Sequence, residues 1–239
     1  MKLGMFAGLR GPQVSAAMLR DVGRGAEDIG LSSIWLGEHV VLFSEHESTY
    51  PGSPSGRIDV PLDQGLMDLP TTIGFLAAIT SEIRFGTGIC LLPQRNPLYT
   101  AKEIATADHL SDGRVDFGVG VGWSWEEFEA CGVPWERRGA RTDEYLEMLR
   151  VLWTEHASSF EGEFHSIPEC HMYPKPIQSP LPVHVGGHSR AAMRRTAVHG
   201  QGWFGFAISP EQTVDLLMVL DEELAKVGRS RADVQITVC

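Results

Sequence analysis

Short apolar runs that alternate with helical patterns are the feature that most constrains how this chain folds. Runs with the length and composition of β-strands recur at residues 2–7, 33–39, 84–92, 114–122, 182–187, 202–207 and 234–239. Segments with apolar residues at helical spacing separate them, at residues 13–30, 70–80, 97–111, 141–153, 190–199 and 211–227. Regular alternation of this kind predicts parallel strands joined by right-handed crossovers.

Seven such units favour a (β/α)₈ TIM barrel over a six-stranded open sheet. A complete barrel has an eighth strand, so either the closing unit is missing from this chain or the barrel closes in another way. The 239 residues fit one domain, because α/β barrels often exceed about 200 residues as a single unit. We therefore predict an α/β fold with one TIM-barrel domain over residues 1–239 that ends after strand seven.

Two segments interrupt the alternation and are expected to be insertions. Residues 41–67 are rich in Pro, Gly and Ser, and residues 155–181 contain the hairpin-like run FEGEFH and a proline-rich stretch. Long insertions at the carboxyl ends of barrel strands usually build the substrate pocket. We expect the first insertion to shape the pocket, although its composition does not identify the substrate.

The net charge limits the binding partners that this chain can have, and the cysteine content indicates its redox compartment. The formal net charge is -11, from 20 Lys+Arg against 31 Asp+Glu, which argues against nucleic acid and against an anionic membrane surface. The four cysteines form no CxxC pair, and free scattered thiols fit a reducing cytosol. No apolar run approaches the roughly 20 residues that a spanning helix needs. We expect a cytoplasmic protein that acts on a small molecule.

Glu38 and His39 stand where the second predicted strand stops. Active sites of TIM barrels assemble at the carboxyl ends of the strands. A histidine there can exchange a proton near neutral pH, and a nearby acid can orient it or bind a ligand. The alternative is a loop pair whose hydrogen bonds are purely structural.

Glycine recurs at alternate positions in two neighbouring strands, in FGTGIC (85–90) and GVGVGW (118–123). Glycine weakens a strand, so the pattern indicates a close approach by something flat, such as a planar ligand. Tight packing of helix on sheet is the alternative for the first run. The second run lacks the spacing of the GxGxxG dinucleotide-binding motif.

The segment VGGHS (185–189) ends the fifth predicted strand and opens a helix for which Ser189 is a plausible N-cap. Free N–H groups at such a helix start can bind a phosphate. A plain left-handed turn would also use two glycines. We do not expect a metal ion at His39, His184 or His188. The side chains of His184 and His188 would lie on one face only if the strand continued through Gly186 and Gly187.

Together these segments resemble the bacterial-luciferase-like monooxygenase superfamily, and most closely its deazaflavin (coenzyme F420)-dependent oxidoreductases. The resemblance spans essentially the whole chain and rests on the order and spacing of GLSSIWLGEHV, TTIGFLAAITSEIRFGTGICLLPQRNPLYTAKEIATADHLSDGRVDFGVGVGW, RRGARTDEYLEMLRVLW, PKPIQSPLPVHVGGHSRAAMRR and GQGWFG. It implies a (β/α)₈ barrel with a flavin or deazaflavin at the carboxyl mouth.

The resemblance also assigns roles to residues. It implies that Glu38 and His39 flank the redox ring, with His39 as the proton donor or acceptor, although deazaflavin members usually carry Asp where this chain has Glu38. It implies a cis peptide at Gly88-Ile89 behind the ring and places Gly122 and Trp123 near the cofactor. Gly186, Gly187, His188 and Ser189 correspond to the phosphate-binding segment.

The resemblance implies hydride transfer between coenzyme F420 and a small organic substrate. An FMN-dependent monooxygenase fed by a separate flavin reductase is the first alternative, because FMN also supports oxygen chemistry. A flavin-binding relative without turnover is the second. The resemblance further implies a homodimer with helices two and three at the contact.

Overall fold

Seven parallel strands in chain order form the main sheet. The computed structural model describes residues 1–9, 11–58 and 65–239. In those ranges the strands are β1 (Met5–Phe6), β2 (Ser33–Leu36), β3 (Arg84–Thr87), β4 (Val115–Val119), β5 (Ser158–Phe160), β6 (Ile167–Cys170), β7 (Val183–Gly186), β8 (Gly202–Gly205) and β9 (Gln235–Val238). The sheet order is β1-β2-β3-β4-β7-β8-β9, and β5 pairs with β6 as a separate antiparallel hairpin.

Helices follow most strands of the main sheet. They are α1 (Ala16–Asp28), α2 (Leu69–Ala77), α3 (Pro97–Leu110), α4 (Trp125–Ala130), α5 (Arg138–Thr154), α6 (Arg190–His199) and α7 (Pro210–Lys226). Side-chain caps start most of them; Asn96 accepts from Leu98 N and Tyr99 N, and Ser209 forms a capping box with Gln212. These caps satisfy N–H groups that have no intrahelical acceptor.

The strand–helix alternation and the hairpin predicted in the second insertion are both confirmed. Within the described residues, the seven parallel strands have the sequential order that a TIM barrel requires, and β1 and β9 are the outer strands of the sheet. The observed strands are shorter than the predicted runs; β3, for example, ends at Thr87, so the apolar residues 89–92 lie outside it. Residues 59–64 of the first insertion lie outside the described residues. In the part of the chain that is described, no helix is long and apolar enough to cross a membrane.

Two apolar clusters hold helices against the sheet. The larger one packs α2, α3 and α5 on the first strands, and the smaller one packs α6 and α7 around Trp203, which is fully buried. Trp35 instead stacks on Phe204 with ring centroids 4.7 Å apart and lies over Gly86, its register partner in β3. A side chain at Gly86 would overlap that indole, so this glycine makes room for protein packing.

Arg114, at the start of β4, ties three segments together. Its guanidinium donates to Ser111 O, to Thr80 Oγ1 and to the carbonyls of Ala77, Thr80 and Ile83, over distances of 2.5 to 3.2 Å. The acceptors belong to the end of α2, the turn before β3 and the turn after α3. Only a guanidinium group, with five N–H donors in one rigid plane, can bind all of these acceptors at once.

We predict that Arg114→Lys lowers the free energy of unfolding by about 2–4 kcal/mol, since the ammonium group leaves several buried carbonyls without a donor. Urea denaturation with an unchanged m-value measures the effect. Arg24→Lys, an exposed site on α1, is the matched control and should leave the midpoint unchanged. Equal midpoints for both variants would contradict the role assigned to Arg114.

Candidate active site

The predicted site segments meet at one edge of the sheet. Residues 38–39 follow β2, residues 88–89 follow β3, residues 122–123 follow β4 and residues 186–189 close β7. These four strands are neighbours in the sheet and parallel. Their carboxyl ends therefore lie side by side, as the barrel prediction requires.

Glu38 is buried, and both of its carboxylate oxygens bind protein groups. Oε1 accepts from Arg95 Nη1 at 2.5 Å, and Oε2 accepts from Leu91 N at 2.6 Å. Arg95 continues to Glu103 at 2.5 Å. Burial raises the pKa of the Glu38 carboxyl, while Arg95 and the Leu91 N–H oppose the rise. Glu38 thus anchors the segment that follows β3; its contact with a cofactor ring stays a prediction.

His39 has partners on both ring nitrogens. Nδ1 lies 2.9 Å from Glu127 Oε2, and Trp123 Nε1 donates to Nε2 over 3.2 Å. The side chains of His39 and Glu127 are 10% and 2% exposed. Because an indole N–H can only donate, Nε2 is the acceptor and Nδ1 carries the proton that binds Glu127. The carboxylate therefore selects one tautomer of the neutral imidazole.

Glu127 was not among the residues that the sequence analysis singled out. It lies in the first turn of α4, whose N-cap Ser124 accepts from Glu127 N at 3.3 Å. Its Oε1 also accepts from Val40 N at 2.6 Å. The spacing Ser124-x-x-Glu127 has the form of a capping box and could have marked this helix start. Here the glutamate side chain turns to His39 and Val40 rather than to its own N-cap.

The Gly88-Ile89 peptide is cis, as the resemblance implied. A Cβ on Gly88 would lie 2.9 Å from Phe204 Cζ, and one on Gly186 would lie 2.7 Å from Ile89 Cγ2. The Ile89 side chain also occupies the space beside Gly120. The contact of Gly88 and Ile89 with a cofactor stays a prediction.

The run GVGVGW meets protein atoms at two of its three glycines, where the sequence pattern indicated a planar ligand. A Cβ on Gly118 would meet the carbonyl of Thr87, and one on Gly120 would meet Ile89. Both glycines therefore serve close packing between β3 and β4. Gly122 is different, because its φ of +78° is left-handed, and a Cβ there would also lie 2.7 Å from Phe128.

Trp123 is the centre of an aromatic group at the mouth. The rings of His39, His46 and Tyr50 meet it edge-on, with centroids 5.5, 5.4 and 5.2 Å away. Two of these residues come from the first insertion, which therefore folds over the end of β4. The expectation that this insertion shapes the pocket agrees with that arrangement.

The turn after β7 has the geometry of an anion-binding helix start. Gly187 has φ +117°, and its carbonyl accepts from Trp203 Nε1 at 2.9 Å. Ser189 is the N-cap of α6, and its hydroxyl accepts from Ala192 N at 3.2 Å. The earlier N–H groups of the first turn have no intrahelical acceptor and point out of the helix end. These features fit the phosphate of a nucleotide-like cofactor.

The two histidines of this region have separate protein partners. His188 Nε2 accepts from Phe206 N at 3.3 Å, and burial lowers the pKa of His188. His184 is buried, with Nε2 3.6 Å from Asp116 Oδ1. Within residues 1–9, 11–58 and 65–239, no group of three or more His, Cys, Asp or Glu side chains has the arrangement of a metal site.

The sequence is similar to known oxidoreductases over its whole length. The model of the luciferase-like monooxygenase family matches residues 1–239. The F420-dependent glucose-6-phosphate dehydrogenase of Kineococcus radiotolerans is 28% identical over 247 residues, covering 100% of this chain and 66% of that protein. The FMNH(2)-dependent dimethylsulfone monooxygenase of Pseudomonas putida is 37% identical over 133 residues, covering 54% of this chain and 36% of that protein.

A solved structure agrees with the fold. The monooxygenase RslO1 from Streptomyces bottropensis superposes with a TM-score of 0.78 at 27% identity, covering 99% of this chain and 70% of that one. The barrel plan of this chain is thus shared with a family whose members differ in cofactor.

We predict that Glu127→Gln removes the preference of His39 for the Nδ1–H tautomer. When the amide oxygen keeps the Val40 N–H, the amide N–H₂ faces Nδ1 while the Trp123 N–H still faces Nε2, so neither neutral tautomer keeps both hydrogen bonds. Long-range ¹H–¹⁵N correlation on histidine-labelled protein above neutral pH identifies the unprotonated nitrogen. His39→Ala assigns the signal by its loss.

Glu129→Gln is the matched control, because Glu129 lies exposed on the same helix. It should leave the His39 spectrum unchanged. An unaltered tautomer in Glu127→Gln would show that Glu127 does not control the ring.

Proposed function

The chain belongs to the luciferase-like monooxygenase family, and from that premise we propose that it is a deazaflavin (coenzyme F420)-dependent oxidoreductase. It transfers a hydride between the cofactor and a small organic substrate at the carboxyl mouth of the barrel. The observation that carries the proposal is His39, held as one tautomer by Glu127 at the end of β2. The F420-dependent relative, which aligns with the whole chain, supports the cofactor.

The residues present fit such a cofactor. The N–H groups at the start of α6, the Gly186-Gly187 turn and Ser189 would hold its phosphate. Gly122, Trp123 and the Gly88-Ile89 peptide would border its ring, and Glu38 would support that border through Leu91 and Arg95. When bound, a deazaflavin supplies a two-electron hydride acceptor or donor.

His39 handles the proton that accompanies the hydride. Nε2, which accepts the Trp123 N–H in this structure, takes the hydroxyl proton in place of that bond when an alcohol is oxidised and returns it when a carbonyl is reduced. Glu127 steadies the imidazolium that forms, because its carboxylate already binds Nδ1–H at 2.9 Å. Glu38 and His39 thus act differently: Glu38 positions the β3 segment, and His39 exchanges the proton.

FMN is the second candidate cofactor, because an FMNH(2)-dependent relative is 37% identical over about half of the chain. It would make the protein a monooxygenase that requires a separate flavin reductase. A chain that binds a flavin without turnover is the third possibility.

Fluorescence titrations with coenzyme F420 and with FMN distinguish these candidates. We predict tight binding of the deazaflavin and weak binding of FMN. The reverse preference would move the assignment to a reductase-coupled monooxygenase, and binding of neither would overturn the cofactor site. Bound deazaflavin that no donor reduces would favour a binding protein.

His39→Ala serves as the matched variant in the same experiment. It should lower turnover more than tenfold and leave the deazaflavin titration nearly unchanged, because His39 is assigned to proton exchange and not to cofactor binding. Unchanged turnover would remove His39 from the mechanism.

We also propose a homodimer that forms through α2 and α3. Tyr99 and Leu110 on α3 are 72% and 62% exposed, and large apolar side chains of this kind favour burial against a partner. Sedimentation velocity at micromolar concentration should give a dimer. A monomer alone would contradict this proposal.

A further inference from the structure

A cavity of about 60 Å³, called the basal cavity below, lies between the carboxyl half of α5, the start of β7 and the end of α6. Val183 begins β7 and Gln201 directly precedes β8. The basal cavity is therefore at the amino ends of the strands, at the opposite end from the mouth that holds His39. The space beside His39 measures only about 10 Å³. Because one water-sized group needs roughly 10–15 Å³ of such volume, about four to six non-hydrogen atoms fit into the basal cavity.

Apolar side chains form one part of its lining. They are Leu146, Trp153, Leu181 and Val183, all of them buried. The indole N–H of Trp153 donates to Ala101 O at 3.0 Å, so this residue offers only ring carbons to the cavity. A hydrocarbon group that enters here leaves water, which favours its binding.

The polar side chains of the lining present hydrogen-bond donors. Gln201 Oε1 accepts from Val183 N at 3.0 Å, which leaves the NH₂ group of this amide for another acceptor. His199 Nδ1 lies 3.3 Å from Arg150 Nη2 and must accept, because a guanidinium group only donates. The neutral imidazole therefore carries its proton on Nε2. In residues 1–9, 11–58 and 65–239, neither that Nε2–H nor the Gln201 NH₂ has an acceptor, and no described residue of the lining is Asp or Glu.

The electrostatic potential at this polar end is positive. Arg150 is exposed and has no carboxylate partner in the part of the chain that the structure describes. Arg195 and Arg194 of α6 lie 2.5 and 3.9 Å from Asp143. Burial lowers the pKa of His199; Asp143 opposes the fall, whereas the three arginines add to it. Of the four charges that act on this imidazole, three are thus positive, although the chain as a whole carries -11.

We propose that the basal cavity binds a small monocarboxylate with a short hydrocarbon chain. Its carboxylate accepts from Arg150, from His199 Nε2–H and from the NH₂ of Gln201, and its hydrocarbon chain lies against the apolar lining. A carboxylate matches these donors because it accepts hydrogen bonds and donates none. This site does not depend on the cofactor at the mouth, so it stands or falls independently of the proposed function.

Saturation-transfer-difference NMR on the full chain tests the site with butyrate as the probe. Butyramide is the matched control compound, because it has nearly the same size and shape but no charge. We expect saturable transfer to the methyl and methylene protons of butyrate and at least about fivefold less transfer to butyramide at equal concentration. Equal transfer to both compounds, or none to butyrate, would overturn the inference. Complete displacement of butyrate by an equal concentration of inorganic phosphate would also overturn it, because the cavity would then bind anions without regard to the hydrocarbon chain.

Variants of one exposed arginine localise the carboxylate. Arg150→Gln should weaken butyrate binding by at least about fivefold, whereas Arg150→Lys keeps a cation and should retain most of the affinity. Arg194→Gln is the matched control, because Arg194 lies outside the lining and its side chain is 64% exposed. It should change the dissociation constant of butyrate by less than about twofold. Undiminished binding in Arg150→Gln would show that butyrate binds elsewhere.

A cavity-filling variant and a competition experiment complete the test. Leu181→Trp fills the apolar part of the basal cavity and should abolish saturation transfer to butyrate in folded protein; Arg150→Gln, at an exposed position, decides the question where the larger side chain prevents folding. Saturating coenzyme F420 or FMN should leave the butyrate signal unchanged, because these cofactors are assigned to the opposite end of the strands. Displacement of butyrate by either cofactor would place the probe at the mouth and overturn the inference.

Discussion

The candidate site depends on two hydrogen bonds of the Glu127 carboxylate. One oxygen binds His39 Nδ1 and the other binds Val40 N, so a single buried group determines both the histidine tautomer and the path of the chain that leaves β2. A buried carboxylate is stable only while the groups that hydrogen-bond to it stay in place. The start of the first insertion, the histidine and α4 are therefore coupled through one side chain.

Local patterns were sufficient to predict most of the fold. The strand–helix alternation could be predicted because apolar residues recur with the period of a strand or of a helix in each element. The helix α6, for example, begins and ends at the predicted residues 190 and 199. The helix α4 was missed because six residues are too few for an apolar periodicity. Its local signals were the capping pattern at Ser124 and the acidic residues of its first turn, and they indicate where a helix begins, not what its glutamate contacts.

The site was predictable only in part, for a different physical reason. His39 and Glu127 are 88 residues apart, and no local pattern relates them. The glycine runs were ambiguous because glycine carries no side chain to indicate which atoms face it. The structure shows that Gly118 and Gly120 accommodate Thr87 and Ile89. What looked like a surface for a planar ligand is, at these two positions, a surface for the neighbouring strand.

The adjacency of Glu38 and His39 has a simple geometric basis. Both residues follow the end of β2, and their side chains have different partners. Glu38 reaches Arg95 and Leu91 on the β3 side, and His39 reaches Glu127 on α4. The acid beside the histidine in sequence is therefore not the acid that orients it. The two carboxylates have different roles: Glu38 supports the segment behind the proposed ring site, and Glu127 orients the imidazole of His39. The longer side chain at Glu38, compared with the Asp usual in deazaflavin members, is consistent with this division, since it spans to Arg95 while leaving the mouth to His39.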